Sequence, residues 1–527
     1  MFCPPRRACW VKFLSDGPFF FNAHTAMLIK KDPDLISAYL EDYSNLKGGF
    51  CDLVAFPMEE AEIAEFLKDS SAKKSPVTIS GAGTGVTGAR IPFGGRVLSL
   101  EKMNKIIDIR KHESGEGEAL VEPGLLLQDF LSETEKYGLF YPPDPTEKTS
   151  FIGGNVATSA SGARSFKFGT TRDYVLGLKV MLSSGDSIEI DRDSIFADNT
   201  GAVELQTSSG ENIKVTVPKY KMPSVKNASG YFAKKHMDAI DLFIGQEGTL
   251  GVITQIRLKL ISQLKGMLDC YTFFKKGNDA LLFVKKAREQ SIGRGRNAKA
   301  IDAISLEYFD ENALNLLREK HNNIPKDAKG AIYFEQEVDR ESESDLIEKW
   351  AALITECNGL LDDTWFAQTA KERQRLQDVR HDLPDMVNEY LKKHNLIKVG
   401  TDIAVDPVNI FKMIEYYNNL LSEAGLRYLI FGHIGEAHLH VNILPKDKKQ
   451  TEKAAEIYEA LVKKAISLGG TPSAEHGIGK IKHKYLEMLY GADGVKTMAA
   501  LKKALDPACI LGLDNIFSKK TLNSLVL

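Results

Sequence analysis

Four of the eleven histidines fall in two short segments, Gly432-His433-Ile434-Gly435-Glu436-Ala437-His438-Leu439-His440 and Ala474-Glu475-His476-Gly477. Two histidines and a glutamate are an ordinary ligand set for a catalytic divalent metal. A further histidine beside such a set has the chemistry of a base at neutral pH. Far upstream lies Ser80-Gly81-Ala82-Gly83-Thr84-Gly85-Val86-Thr87-Gly88. A glycine run of this kind can turn successive backbone N–H groups inward as a nest for phosphate or pyrophosphate. A metal-type cluster at one end and an anion cradle at the other describe a cofactor enzyme.

Read as a strand, residues 437–443 place His438, His440 and Asn442 on one face and Leu439, Val441 and Ile443 on the other. The apolar face packs on a core, which leaves the polar face for a ligand. Gly435 allows a turn that brings His433 back beside His440, and Glu475 supplies a third ligand with one metal position left open. A role as solvent-facing or hydrogen-bonded strand residues would suit a single histidine better than three within eight residues. The strand-like Pro76-Val77-Thr78-Ile79 precedes the glycine loop, but Pro92 and Gly94-Gly95 follow it, then another strand. A nicotinamide Rossmann site needs a helix directly after its glycines and an acid about 20 residues on. That order is absent.

The elements around these motifs divide into two halves. The first reads as short strands between glycine-rich turns: 77–79, 97–100, 106–109, 119–121, 178–182 and 253–260, with a helix over 125–137. Phe151 to Gly169 is dominated by Gly, Ser, Ala and Thr, residues that let backbone approach a ligand closely. The second half alternates strands (267–274, 331–337, 398–405, 428–431, 439–444) with amphipathic helices (278–290, 341–356, 370–393, 407–424, 449–468). This order predicts an α+β domain, an open sheet with helices on one face. The boundaries fall at 1–45 (an N-terminal extension), 46–263, 264–470 and 471–527.

A chain of 527 residues is long enough for two or three domains. With 43% apolar and 26% charged residues and a net charge of −3, it is not basic enough for nucleic acid as a main partner. No run of about 18 apolar residues predicts a membrane span. Cys3, Cys9, Cys51, Cys270, Cys357 and Cys509 form no Cys-x-x-Cys pair, which argues against a zinc ribbon, a ferredoxin cluster or a disulfide framework. A reducing compartment follows. Arg6, Arg7 and Lys12 precede the first acid, Asp16, yet a solvated tail fits Met1 to Asp16 better than a targeting peptide, with Met27 as an alternative start.

Further segments complete a pattern: Tyr141-Pro142-Pro143-Asp144-Pro145, Phe151-Ile152-Gly153-Gly154-Asn155-Val156-Ala157-Thr158, Phe168-Gly169-Thr170-Thr171-Arg172-Asp173-Tyr174 and Ile244-Gly245-Gln246-Glu247-Gly248-Thr249-Leu250-Gly251-Val252-Ile253. With the glycine loop, they resemble the vanillyl-alcohol-oxidase superfamily, in particular the FAD-linked dehydrogenases of D-lactate, glycolate and D-2-hydroxyglutarate. The resemblance implies a two-domain flavoprotein: a PCMH-type FAD-binding domain and an α+β cap domain with an antiparallel sheet, followed by a C-terminal segment returning to the flavin. It implies that Gly81, Ala82, Gly83, Thr84 and Gly85 hold the FAD pyrophosphate. Pro143, Asp144, Gly153, Gly154, Asn155, Thr158 and Ser161 run along the cofactor, and Gly248, Thr249 and Ile253 close over it. The loop lacks the histidine that tethers flavin in many relatives, so the FAD is expected to be non-covalent.

The same resemblance implies His433, His440 and Glu475 as ligands of a divalent metal, zinc by preference, His476 as the base, Arg380 as partner of the substrate carboxylate, and Asn442 and Lys398 near the substrate. A D-2-hydroxy acid would be oxidised to the 2-oxo acid, its Cα hydride going to flavin N5. The acceptor of the electrons is external: a cytochrome, a quinone, an electron-transfer flavoprotein or oxygen. The resemblance points to the cytoplasm and leaves open a homodimer and a peripheral position at the inner membrane. The chain departs from the pattern where the family has Asp-Gly-Asn and this sequence has Glu436-Ala437-His438. It departs again at Gly400, where the family has a substrate-binding lysine, at Ala474, and at Gly512-Leu513-Asp514-Asn515. Two alternatives stand beside the dehydrogenase: an alkylglycerone-phosphate-synthase-like flavin transferase, which lacks support from a run of consecutive histidines, and a flavin-binding subunit of a larger redox complex.

Overall fold

The computed structural model describes residues 27–293, 296–297, 299–394, 396 and 399–525. Lys398 and the segment before Met27 lie outside the described residues. The first domain is built on two main sheets. One runs, in spatial order, Leu28–Lys30, Leu53–Phe56, Arg96–Ser99 and Val77–Ser80, the last three parallel to one another. Parallel neighbours need a crossover. The helix Glu60–Ala72 supplies it and buries Ile63, Phe66 and Leu67. Leu28–Lys30, assigned from sequence to an extension, is the edge strand of this sheet. The second sheet is antiparallel and centres on the eleven-residue strand Val252–Ser262, with Gly117–Val121 on one side and Val175–Met181 on the other.

The second domain is one antiparallel sheet. Its order is Trp365–Ala367, Met267–Phe274, Gly330–Glu337, Ala303–Asp310, Tyr428–Gly432, His438–Ile443 and Val399–Gly400, with Ile403–Ala404 also paired to His438–Ile443. Helices cover both faces, not one as the sequence suggests. Leu268, Leu306, Ile332 and Phe334 meet helices Gly277–Ser291, Glu343–Glu356, Ile410–Ala424 and Lys448–Ser467. Tyr271, Phe273, Phe309 and Tyr333 meet helices Glu311–Leu317 and Ala370–His394 on the other side. Burial on two faces removes the polar–apolar alternation that would mark a half-solvated sheet. Ala303–Asp310, which sequence patterning did not reveal, is buried at every position.

From Thr471 the chain crosses back. Ile478, Leu486, Met498, Leu505 and Phe517 join the core of the first domain, and Val77 N–H donates to Ile510 O at 2.8 Å. A fork from Arg164 to Glu335, with bonds of 3.2 and 2.8 Å, ties the two domains directly. Among the described residues no helix is long and apolar enough to cross a membrane.

Candidate active site

The histidine segment is a hairpin. Strand Tyr428–Gly432 ends in a 3₁₀ turn, Ile434–Glu436, and the chain reverses at Ala437 with φ +53°. Ala437, not Gly435, is the left-handed residue. Gly435 matters for clearance, because a Cβ there would lie 2.9 Å from the Phe166 ring. The reversal brings the ring centre of His433 to 5.3 Å from His438 and 5.6 Å from His440, while His438 and His440 lie 4.6 Å apart. Leu439, Val441 and Ile443, on the opposite strand face, lie in the core.

Two of the three rings have one nitrogen held from outside by a hydrogen bond, and the third faces a carboxylate. His433 Nδ1 is 2.5 Å from Glu307 Oε1, His438 Nε2 is 3.1 Å from Asp402 Oδ1, and His440 Nδ1 is 3.1 Å from Thr401 O. Such outer partners fix tautomer and orientation in metal-binding histidines. One ligand atom from each of His433, His438, His440 and Glu475 lies within 4.8 Å of all the others. Glu475 is partly buried, and desolvation alone would raise its pKa; Lys226, then His433 and His438, overcome this and hold it well below the carboxylate range. Lys226, itself buried, contacts Glu475 and lies 2.9 Å from Glu436 Oε2. Burial lowers the pKa of His433, but Glu307 and Glu475 outweigh it and bring it up to about 9. Burial, then the neighbouring histidines, pushes His440 well below its ordinary value. The donor chemistry fits a divalent metal: an ionised carboxylate, two imidazoles oriented by hydrogen bonds, and a His438 ring that is buried with neither nitrogen hydrogen-bonded.

His476 stacks on His440 with centroids 5.6 Å apart and planes 13° apart. Its Nδ1 faces Asp402 Oδ2 at 3.4 Å. Burial lowers its pKa to about 4 against the opposing pull of Asp402. Asp402 is fully buried and accepts from Ser473 Oγ (2.7 Å), His476 N–H (2.9 Å) and Lys482 Nζ (3.0 Å). It is exposed to these donors because the strand predicted over 398–405 is broken: Val399–Gly400 and Ile403–Ala404 flank Thr401 and Asp402. Sequence reasoning missed Glu307, Asp402 and Lys226 as site residues. Acids inside otherwise apolar strand segments were the available signal for the first two; nothing local marks Lys226.

Arg380, on helix Ala370–His394, points inward. Its Nε donates to Glu307 Oε2 at 3.2 Å, so Glu307 links it to His433. Burial would raise the pKa of Glu307, yet His433 and Arg380 hold it at about 2. Asn442 is buried with Nδ2 unpartnered, one residue beyond Val441 on the histidine strand.

The flavin-type motifs converge on the same seam. Ser161 Oγ donates to Glu475 Oε1 at 3.1 Å. Thr87, in the glycine loop, accepts from Lys480 N–H at 2.9 Å through its carbonyl, and a Cβ on Gly479 would lie 2.1 Å from that oxygen. Glu247, at φ +51°, accepts from Ile478 N–H (2.8 Å) and Gly479 N–H (2.7 Å). Asn515 Nδ2 bonds Glu247 O and Ala89 O, joining the last motif to the first loop. Gly248 lies against Ile79 and Gly512, Thr249 Oγ1 meets Tyr231, and Ile253 is on the central strand. Gly153 packs on Pro123, Thr158 Oγ1 bonds Gly154 O, and Asp144 contacts Lys148 and Arg164, beside Pro143. A cofactor cradle fits here: a Cβ on Gly85 or Gly154 would meet nothing within 4 Å, and Asn155 Nδ2 is buried without a partner.

Residues 51–191 match the FAD binding domain family, and residues 294–513 match the C-terminal domain of FAD linked oxidases. The glycolate oxidase subunit GlcD of Bacillus subtilis (strain 168) is 31% identical over 473 residues, covering 89% of each chain. A D-lactate dehydrogenase of Anaerostipes hadrus is 30% identical over 468 residues, covering 87% of this chain and 88% of its own. A solved alkyldihydroxyacetonephosphate synthase superposes with a TM-score of 0.65 at 14% identity over 92% of this chain and 82% of its own, a likeness of fold alone. The chain thus belongs to the FAD-linked oxidase family, as an FAD-dependent oxidoreductase of the D-lactate, glycolate and D-2-hydroxyglutarate dehydrogenase type.

Proposed function

We propose that this protein oxidises a D-2-hydroxy acid of the D-lactate, glycolate or D-2-hydroxyglutarate class to the 2-oxo acid at the seam of its two domains. The observation that carries the reading is His476, held between Asp402 and His440 beside a four-donor cluster. Neutral at pH 7, with Nδ1 toward Asp402, it offers Nε2 to a hydroxyl proton. The ionised Asp402 carboxylate then lies against the imidazolium and stabilises it. Bound FAD supplies the two-electron acceptor for the Cα hydride, and a divalent metal, zinc by donor type, supplies Lewis acidity that lowers the pKa of the substrate hydroxyl.

His433, His440 and Glu475 would hold that metal. Gly81 to Gly85, Gly153, Gly154, Asn155, Thr158, Ser161, Gly248 and Thr249 would line the flavin. Arg380 offers its remaining guanidinium donors to the substrate carboxylate, with Asn442 on the cap side. Water is kept out by burial of His433, His438 and Asn442. Reduced flavin is reoxidised by an external cytochrome, quinone or electron-transfer flavoprotein. Anaerobic mixing with a panel of D- and L-2-hydroxy acids tests the reading: one class of D-acid bleaches the flavin, and bleaching by none refutes it. A second reading, a flavin-bearing subunit of a larger assembly, is favoured by the subunit status of the Bacillus relative. Turnover of the isolated chain with a dye acceptor separates the two.

A further inference from the structure

We propose that His438 is a fourth protein ligand of the metal, so that the centre is three imidazoles and one carboxylate built for a nitrogen-preferring divalent cation. The inference rests on the reading above, that His433, His440 and Glu475 bind a metal. His438 replaces the asparagine of the resembled motif, and the mechanism just described leaves it without a task.

Its geometry is that of a ligand. The ring is fully buried. Nε2 faces Asp402 Oδ1 at 3.1 Å, and Nδ1 is turned toward Glu475, 4.0 Å from Oε1. Neither ring nitrogen has a hydrogen-bond partner among the described residues. A buried imidazole with neither nitrogen hydrogen-bonded is costly to leave unsatisfied, and a bound cation would take up the lone pair of Nδ1. Glu307 and Thr401 O hold the outer nitrogens of His433 and His440 by hydrogen bonds. Asp402 stands in the corresponding place behind His438, as a buried carboxylate facing the outer nitrogen. His438 and His440, two apart on one strand, share a face, and donor atoms of all four residues lie within 4.8 Å of one another.

The fourth donor changes what the site selects. Three imidazoles favour zinc-class cations over magnesium, calcium or manganese, which prefer all-oxygen sets. Substrate would then enter as a fifth donor rather than fill a vacant fourth position. The FAD-loaded protein, stripped of metal, is titrated with Zn²⁺ against a chromophoric chelator as wild type, His438→Asn and His440→Asn, with flavin absorbance and circular dichroism confirming the fold. Zn²⁺ affinity is expected to fall in His438→Asn by more than the roughly 10–100-fold that loss of an outer partner costs. X-ray absorption at the zinc edge of the wild type, which does not depend on any variant folding, is expected to count three imidazoles. Two imidazoles, or a His438→Asn affinity within about ten-fold of wild type, overturns the assignment of His438 alone. An FAD-loaded wild type that binds no Zn²⁺ overturns the metal reading and this assignment with it.

Discussion

Asp402→Asn removes one charge from the centre of the site and should damage stability and catalysis by separable amounts. Asp402 Oδ2 receives Ser473 Oγ, His476 N–H and Lys482 Nζ, while Oδ1 faces His438 Nε2 and receives Glu475 N–H at 3.2 Å. An amide can present its oxygen to only one of these sets, so its NH₂ must point at donors whichever way it turns. Lys482 is left as a buried ammonium with Ser473 Oγ at 3.0 Å as its remaining side-chain hydrogen-bond partner among the described residues. Removing one partner of a buried pair costs about 3–5 kcal/mol, a large share of the ~5–15 kcal/mol that holds a domain together. Denaturant unfolding of the FAD-loaded variant reads this loss. At temperatures where the variant is still folded, anaerobic flavin reduction should slow by ~10²–10⁴-fold, the usual contribution of an oriented base, with a smaller change in the substrate concentration giving half-maximal rate. A variant that unfolds within about 1 kcal/mol of wild type, the worth of an ordinary hydrogen bond, and reduces its flavin at the normal rate would refute both the buried-hub argument and the orientation of His476.

His476→Ala should retain FAD and lose flavin reduction by substrate by ~10²–10⁴-fold; rapid bleaching in stopped flow would remove His476 as the base. Gly154→Ala places a methyl in open space within helix Ile152–Thr158, so the apoprotein should gain up to about 1 kcal/mol in melting experiments while FAD titration shows weaker binding; unchanged FAD affinity would move the flavin away from Gly154. Burial pushes the Glu247 carboxyl from 4.5 up to about 7 against the bonds from Ile478 and Gly479. Between those values the native state keeps a proton that the unfolded chain releases, so stability should fall by up to about 3 kcal/mol as pH rises through this window. Glu247→Gln should flatten the slope, and an identical pH profile for both proteins in urea unfolding would refute the burial argument.

The parts of this fold legible in the sequence are those with a local signature. Met267–Phe274 and Ala370–His394 appear almost at their predicted limits because each carries a sustained period over two or more turns or a clear apolar run. Ala303–Asp310 was illegible because it is covered on both faces, so Glu307 looks like a break in a strand when it is a buried anchor for His433 and Arg380. The histidine cluster was legible because period two placed His438 and His440 together. Their outer partners were not, since Asp402 reaches His438 only through the pairing of Ile403–Ala404 with His438–Ile443, a register no single segment encodes. Lys226 is less visible still. It arrives from the first domain, 210 residues before Glu436 in sequence, and only the docking of the two domains makes it a neighbour.

That docking explains the departure of Glu436-Ala437-His438 from Asp-Gly-Asn without dismantling the site. The Glu436 carboxylate contacts Ser165 Oγ and lies 2.9 Å from Lys226 Nζ, both in the first domain. Lys226 also contacts Glu475 and bonds Gly162 O at 3.2 Å. A longer acid at 436 thus reaches across the seam, and the same ammonium that anchors it holds the Glu475 carboxylate ionised. Ala437 accepts the left-handed backbone of the turn at a cost that glycine would avoid, and His438 follows it with Nε2 3.1 Å from Asp402 Oδ1. The substitution at 436 is therefore matched by contacts that cross between the domains. The three departures therefore leave the four donors converging and the buried Asp402 carboxylate in place beneath His476.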